Sequence, residues 1–267
     1  MADDVLRLLF VGDVVGPAGC EATRRFIPAL RRELALDAVV VNGENSAPNG
    51  LGITHETAKQ ILSVADFVTL GDHAFDQEGM EALFAVNPRV IRPLNFEGQH
   101  PGRGWGIFEA AGMHIGVVNL LGRVFMRPAA SSQYAAADQA IQALAAAGVK
   151  VIVVDLQAEA TSEKQMLGWY LEGRVSAVLG THTHVPTADA RVLPGGTAYV
   201  SDVGMTGARD GVIGFDRERL LVAARAGQKP AGPLKPAEGV QRLDAVLIVI
   251  DKASGRARAI ERVVREG

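Results

Sequence analysis

Short apolar runs, most of them ending on a polar cluster, constrain this chain more than any other feature. Runs rich in Val, Ile and Leu occupy residues 8–11, 38–41, 67–70, 115–121, 151–154, 175–179 and 197–200. They lack polar alternation, which is the pattern of strands buried on both faces. Helix-length stretches lie between them, at residues 20–36, 55–65, 77–85, 133–147 and 162–172. Thr54, and either Thr161 or Ser162, are placed to cap two of these, and Pro28 is placed to kink or split the first. The alternation predicts an α/β fold around a central sheet. Near the end, residues 244–251 and 257–264 flank a turn at 252–255 and read as an antiparallel hairpin. Residues 226–238, rich in Gly, Pro and Lys, read as a mobile loop. No internal repeat or composition shift divides the chain, so one domain over residues 1–267 is expected.

Composition bounds the function classes. A chain of 267 residues with 48% hydrophobic and 21% charged residues is ordinary for a globular protein with a sizeable core. A net charge of −3 argues against a broad nucleic-acid or membrane surface, but not against a small phosphate-bearing ligand. No run approaches the roughly 18 apolar residues of a membrane helix. Residues 1–7 lack the basic-then-apolar pattern of a leader. Cytoplasm is therefore the expected compartment. Cys20 is the one cysteine, so neither an internal disulfide nor a zinc ribbon is available.

The polar clusters carry the chemistry. Asp13 follows the first run, Glu44 and Asn45 the second, and Asp72 and His73 the third. Gln157 and Glu159 follow the run at 151–154, and His182 and His184 follow the run at 175–179. Ligands of open α/β sheets bind at the carboxyl ends of strands. Taken singly, Gly12-Asp13 reads equally well as a turn, Asn45 as an Asx turn, and the two histidines as solvated loop. Five clusters in register with five strands make the joint coincidence a poor account. If residues 182–184 are extended, their two imidazoles project to one side, which suits metal ligation. Carboxylates, amides and neutral imidazoles suit Mn²⁺, Fe or Zn²⁺. No phosphate loop, dinucleotide fingerprint or serine nucleophile elbow competes.

The ordered set Gly12-Asp13, Gly43-Glu44-Asn45, Gly71-Asp72-His73 and His182-Thr183-His184 resembles the calcineurin-like metallophosphoesterases. Longer strings resemble one bacterial branch, the YmdB-like phosphodiesterases. They start at Val41, Arg92, Val118, Ala158 and Gly180, and the last runs to Asp189. The match spans residues 8–207. This resemblance implies a layered α/β/β/α sandwich, a binuclear centre and hydrolysis of small phosphodiesters, with 2′,3′-cyclic nucleotides the associated class. One metal would be held by Asp13, Asn45 and His184, the other by Asp72, Gln157 and His182, with Glu44 bridging. His73 would protonate the leaving oxygen as general acid. Asp76, three residues on, reads either as the group that orients His73 or as a solvated surface carboxylate. A hydroxide derived from water acidified by the metals would attack phosphorus in line. No long nucleic acid and no membrane is implied, and self-association is common for enzymes of this kind.

Two positions depart from the family pattern. Asp72 stands where Asn is usual, and Gln157 where His is usual. The second metal position becomes harder and more oxygen-rich, which favours Mn²⁺, Fe³⁺ or Mg²⁺ over Zn²⁺. The alternatives are a catalytically weakened regulatory or binding protein on the same fold, and a phosphomonoesterase. Asn95 and Arg123 are candidates for phosphate contact or for structural hydrogen bonding. Trp105 and Trp169 read as core or interface residues, and Glu159, Glu163 and Lys164 as caps and decoration of a helix.

Overall fold

The computed structural model describes residues 4–127 and 130–267. Residues 1–3, part of the stretch read above for a leader, lie outside it. Two sheets stack face to face. The first has seven strands in the order Asp13–Val14, Met205–Ala208, Gln241–Asp251, Val5–Val11, Ala38–Asn42 and Phe67–Thr69, with Ala257–Glu266 paired alongside Gln241–Asp251. The second has six, in the order Trp105–Ala110, Met113–Leu121, Val151–Gln157, Ala177–Thr181, Ala198–Val200 and Arg191–Val192. Helices Gly16–Glu33, His55–Leu62 and Met80–Val86 cover the outer face of the first sheet, and Gln133–Ala146 and Thr161–Tyr170 that of the second. The architecture is the α/β/β/α sandwich, and its last two strands form the expected hairpin.

Period-two alternation explains the layers. In the first strand Leu8 and Phe10 face inward and pack with Val117, Val153 and Leu179 of the other sheet. Leu9 and Val11 face outward onto Ile27, Leu30 and Ile61 of the helices. Both faces are covered, so the strands carry no polar alternation.

Several local expectations are met and several are corrected. Thr54 caps its helix, and Thr57 bonds back to complete a capping box. Neither Thr161 nor Ser162 caps its helix: Ala160 occupies that position without a side-chain bond. Gly16–Glu33 runs on through Pro28 as one helix, packed along the sheet. Helix Arg217–Arg225, capped by Asp216, and strand Met205–Ala208 were not anticipated from the sequence, the helix despite the short apolar stretch 220–224. No helix among the described residues is long and apolar enough to cross a membrane.

One junction positions the site. Val5–Val11 pairs with Gln241–Asp251 as far as Val11 opposite Ala245. Beyond Gly12, strand Met205–Ala208 wedges between them, parallel to Asp13–Val14 and antiparallel to Gln241–Asp251. A Cβ on Gly12 would stand 1.9 Å from the Gly204 carbonyl oxygen, so only glycine fits there. The kink sets Asp13 at the sheet's carboxyl edge, beneath the other clusters.

Candidate metal centre

The parallel strands end at Val11, Asn42, Thr69, Gln157 and Thr181. The predicted polar residues therefore arrive from both sheets at one edge. Beneath them lies a polar floor the sequence reading passed over. Asp155 accepts from Thr69 Oγ1 at 2.5 Å, Thr181 Oγ1 at 2.7 Å and Asn42 Nδ2 at 2.9 Å, which ties the two sheets together. Burial pushes its carboxyl up to about 7. A charged residue inside a wholly buried strand was the available signal.

One group gathers around Asp13. Its side chain is fully buried, and Oδ2 accepts from the His182 backbone N–H at 3.3 Å. His184 Nε2 lies 3.2 Å from Asn45 Oδ1 and 3.8 Å from Asp13 Oδ1, and its Nδ1 lies 2.8 Å from the Ile213 carbonyl. Asn45 donates from Nδ2 to the Gly50 carbonyl at 2.9 Å. A second group gathers around Asp72. His182 Nδ1 stands 3.3 Å from Asp72 Oδ1, and its Nε2 stands 3.3 Å from Glu159 Oε2. His73 Nδ1 lies 2.7 Å from Asp76 Oδ2, and Nε2 lies 3.6 Å from Asp72 Oδ2. Glu44 stands between the groups and accepts from the backbone N–H groups of Gly71 and His73. Ligand atoms of Glu44, Asp72 and His73 all fall within 4.8 Å of one another.

Two features differ from the sequence reading. Residues 182–184 are not extended. His182 and His184 have φ values of +93° and +63°, and their imidazoles diverge, one to each group. The cause is Thr183, whose N–H and hydroxyl both donate to Asp202 Oδ2, at 3.0 and 2.5 Å. Asp202 is in turn paired at 3.0 Å with Lys164, and both side chains are buried. Lys164 is thus no decoration, and neither is Glu163, whose carboxylate takes the N–H groups of Arg123 and Val124 and the Gln133 amide. The second feature is Gln157. Its Oε1 turns inward, 2.6 Å from Thr181 Oγ1 and 3.2 Å from Asn42 Nδ2. Its Nε2, a donor, faces His182 at 3.4 Å.

Other candidates resolve simply. Asn95 is buried and bonds the backbone of Leu121 and Ser131, a structural role. Trp105 is partly buried against the second core, but Trp169 is half exposed with Arg191 over its ring.

The electrostatics call for a cation. Asp13 Oδ1 is buried without a hydrogen-bond partner. Burial raises the Asp13 carboxyl, and Asp202 adds to this while His184 opposes it. Glu44 is raised well above its ordinary value, by burial and then by the charge of Asp72. Burial also pushes Asp72 up, but His182 outweighs it and holds the carboxyl low. Buried carboxylates crowded together are stable when a metal or other cation is shared among them. The residues around Asp13 fit one: an orphaned carboxylate oxygen, an amide oxygen and an imidazole nitrogen.

A family model of YmdB-like proteins matches residues 9–263. The chain belongs to the YmdB-like family. A Bacillus subtilis relative, a 2′,3′-cyclic-nucleotide 2′-phosphodiesterase, is 41% identical over 260 residues and 97% of each chain. A hypothetical protein from Thermus thermophilus superposes with a TM-score of 0.89 at 38% identity, covering 98% of this chain and 99% of that one. A Mycoplasma pneumoniae structure described as a novel phosphatase has a TM-score of 0.89 at 28% identity, covering 98% and 94%. This YmdB-like chain is accordingly a metallophosphoesterase.

Proposed function

We propose that the chain is a metal-dependent phosphodiesterase of small phosphodiesters, with 2′,3′-cyclic nucleotides as its substrates. The observation that carries this is the convergence of Asp13, Glu44, Asn45, Asp72, His182 and His184 from two sheets around an orphaned buried carboxylate oxygen. The B. subtilis relative supplies the substrate class, and its name marks the bond to the 2′ oxygen as the one cut.

Asp13, Asn45 and His184 would hold one cation and Asp72, Gln157 and His182 another, with Glu44 between; Gln157 must first turn its oxygen outward. Mn²⁺ or Fe fits this oxygen-rich set first, ahead of Mg²⁺ or Zn²⁺. Such cations, when bound, polarise the phosphoryl oxygens and acidify water. The chain's own residues do the rest. Asp76 holds His73 by Nδ1, which leaves Nε2 facing the cleft to hand a proton to the leaving oxygen. The backbone clamp of Gly71 and His73 on Glu44 fixes His73 relative to the metal position. With Mn²⁺ present, His73→Ala is expected to lower kcat for a 2′,3′-cyclic nucleotide by about 10²–10⁴-fold. Equal rates for the two proteins would remove His73 from the chemistry.

Gln157's inward oxygen favours a second reading, in which one metal position is weak and the protein chiefly binds its ligand. The metal content of the purified protein separates the two: a filled pair supports catalysis.

A further inference from the structure

The cleft has an annex that the metal chemistry does not use. A cavity of about 560 Å³ opens beside His73, lined by Phe75, Phe96, His100 and Arg127 together with Asp72, Asp76 and Glu97, and His73 is the wall it shares with the metal residues. Its volume is in the range of small-molecule sites. The cavity over the metal residues, of about 360 Å³, contains Asn45, Gln157, His182 and His184, and His73 also lines it. The two cavities therefore meet at the residue assigned to the leaving oxygen.

The annex walls are aromatic and ordered. The Phe75 ring stacks on His100 at 4.9 Å and 28° and meets Phe96 edge-on at 5.5 Å and 65°. Phe84 supports Phe75 from another side at 5.7 Å. His100 is exposed, and its Nε2 lies 2.8 Å from the Glu97 carbonyl, which holds the ring in place. Faces of this kind stack flat heterocycles without regard to their sequence of donors, and Arg127 adds a cation at the rim.

We propose that this cavity is the nucleobase subsite of the enzyme, with Phe75, Phe96 and His100 as its stacking walls. The inference rests on the phosphodiesterase reading, and the covalent geometry of the substrate supplies the link. In a 2′,3′-cyclic nucleotide, phosphorus bridges O2′ and O3′, and the base hangs from C1′, the neighbour of C2′. When O2′ faces His73 Nε2 as the leaving oxygen, C1′ and the base extend past His73, away from the metal residues. The annex is the space they enter. The water-derived oxygen joins phosphorus, the P–O2′ bond breaks, and His73 returns a proton to O2′. The base remains in the annex throughout.

The test compares two cyclic phosphodiesters, adenosine 2′,3′-cyclic phosphate and the base-free glycerol 1,2-cyclic phosphate. Wild type, His100→Ala and Phe75→Leu are measured with Mn²⁺. The ratio of kcat/KM for the nucleotide over the base-free ester should fall about tenfold in each variant, mostly through KM. His100 lies on an exposed loop, so its variant keeps the fold. An unchanged ratio in both variants overturns the proposal. So does loss of the ratio in Leu234→Ala with retention in His100→Ala, since Leu234 lines the opposite, metal-side cavity. A wild type that cleaves neither ester breaks the phosphodiesterase reading instead. The subsite is then judged by adenosine 3′-monophosphate alone: the His100 ring resonances should shift on titration, and an absence of shift overturns it.

Discussion

The group around Asp13 and the group around Asp72 face each other across Glu44 and are built in opposite ways. Asp13, Asn45 and His184 are 0%, 5% and 7% exposed, and both the amide and the imidazole are fastened to backbone carbonyls. Around Asp72 the side chains of His73 and His182 are 30% and 22% exposed, and they bond mainly to other charged side chains. Both departures from the pattern, Asp72 and Gln157, fall here. The lesson is about preorganisation. The first group leaves Asp13 Oδ1 unsatisfied and needs a cation. In the second, Asp72 Oδ1 is likewise without a hydrogen bond, but it stands 3.3 Å from His182 Nδ1 and Gln157 turns its oxygen inward, so a cation there must displace existing contacts.

The largest expected effect comes from the strap that holds the two groups apart. Lys164→Met leaves Asp202 buried without its partner and should destabilise the fold by about 3–5 kcal/mol in urea unfolding. A loss under about 1 kcal/mol would mean that Thr183 is held by something else. Next, Asp13→Ala should weaken metal binding more than about 100-fold, beyond the usual cost of losing a ligand's supporting partner. Asp72→Ala should cost less, and calorimetric titration with Mn²⁺ of both variants checks the order. If Asp72→Ala is the worse of the two, the comparison is inverted. Third, Asp72→Asn with Gln157→His should tighten a second equivalent of metal by about tenfold. Elemental analysis after dialysis reads this directly, and unaltered stoichiometry would show that the second group is already at full strength. Smallest is Cys20, whose Sγ lies 3.5 Å from the Ser46 carbonyl, next to Asn45. Burial pushes its thiol up to about 12 from a starting value of 9.0, against a smaller opposing pull from Arg24. A raised thiol pKa keeps the neutral form, so at pH 8 iodoacetamide should label Cys20 in urea but not in the folded protein. Equal labelling would show that the Asp13 group opens freely.

Much of the site was readable because strand chemistry is local. A two-sided buried strand must be apolar, so the residue that ends the run stands out, as Asp13, Glu44, Asp72 and His182 do. The wedge strand Met205–Ala208 was not readable. Its short segment contains Thr206 and Gly207, and it is a strand only because it fills the gap opened at Gly12. Lys164 and Asp202 were hidden for a related reason: each looks like a surface charge until the fold buries both and pairs them.

The amino-acid sequence by itself determined the alternation of buried strands and helices, the carboxyl-end position of the polar clusters and the family. Those properties follow from periodicity and from residues adjacent in the chain. Tertiary structure alone decided which histidine faces which group, where the Gln157 oxygen points and that an aromatic cavity meets the site at His73. Each of these depends on contacts between residues far apart in the chain, such as Thr183 with Asp202 or Gln157 with Asn42, and no local pattern encodes a contact of that kind.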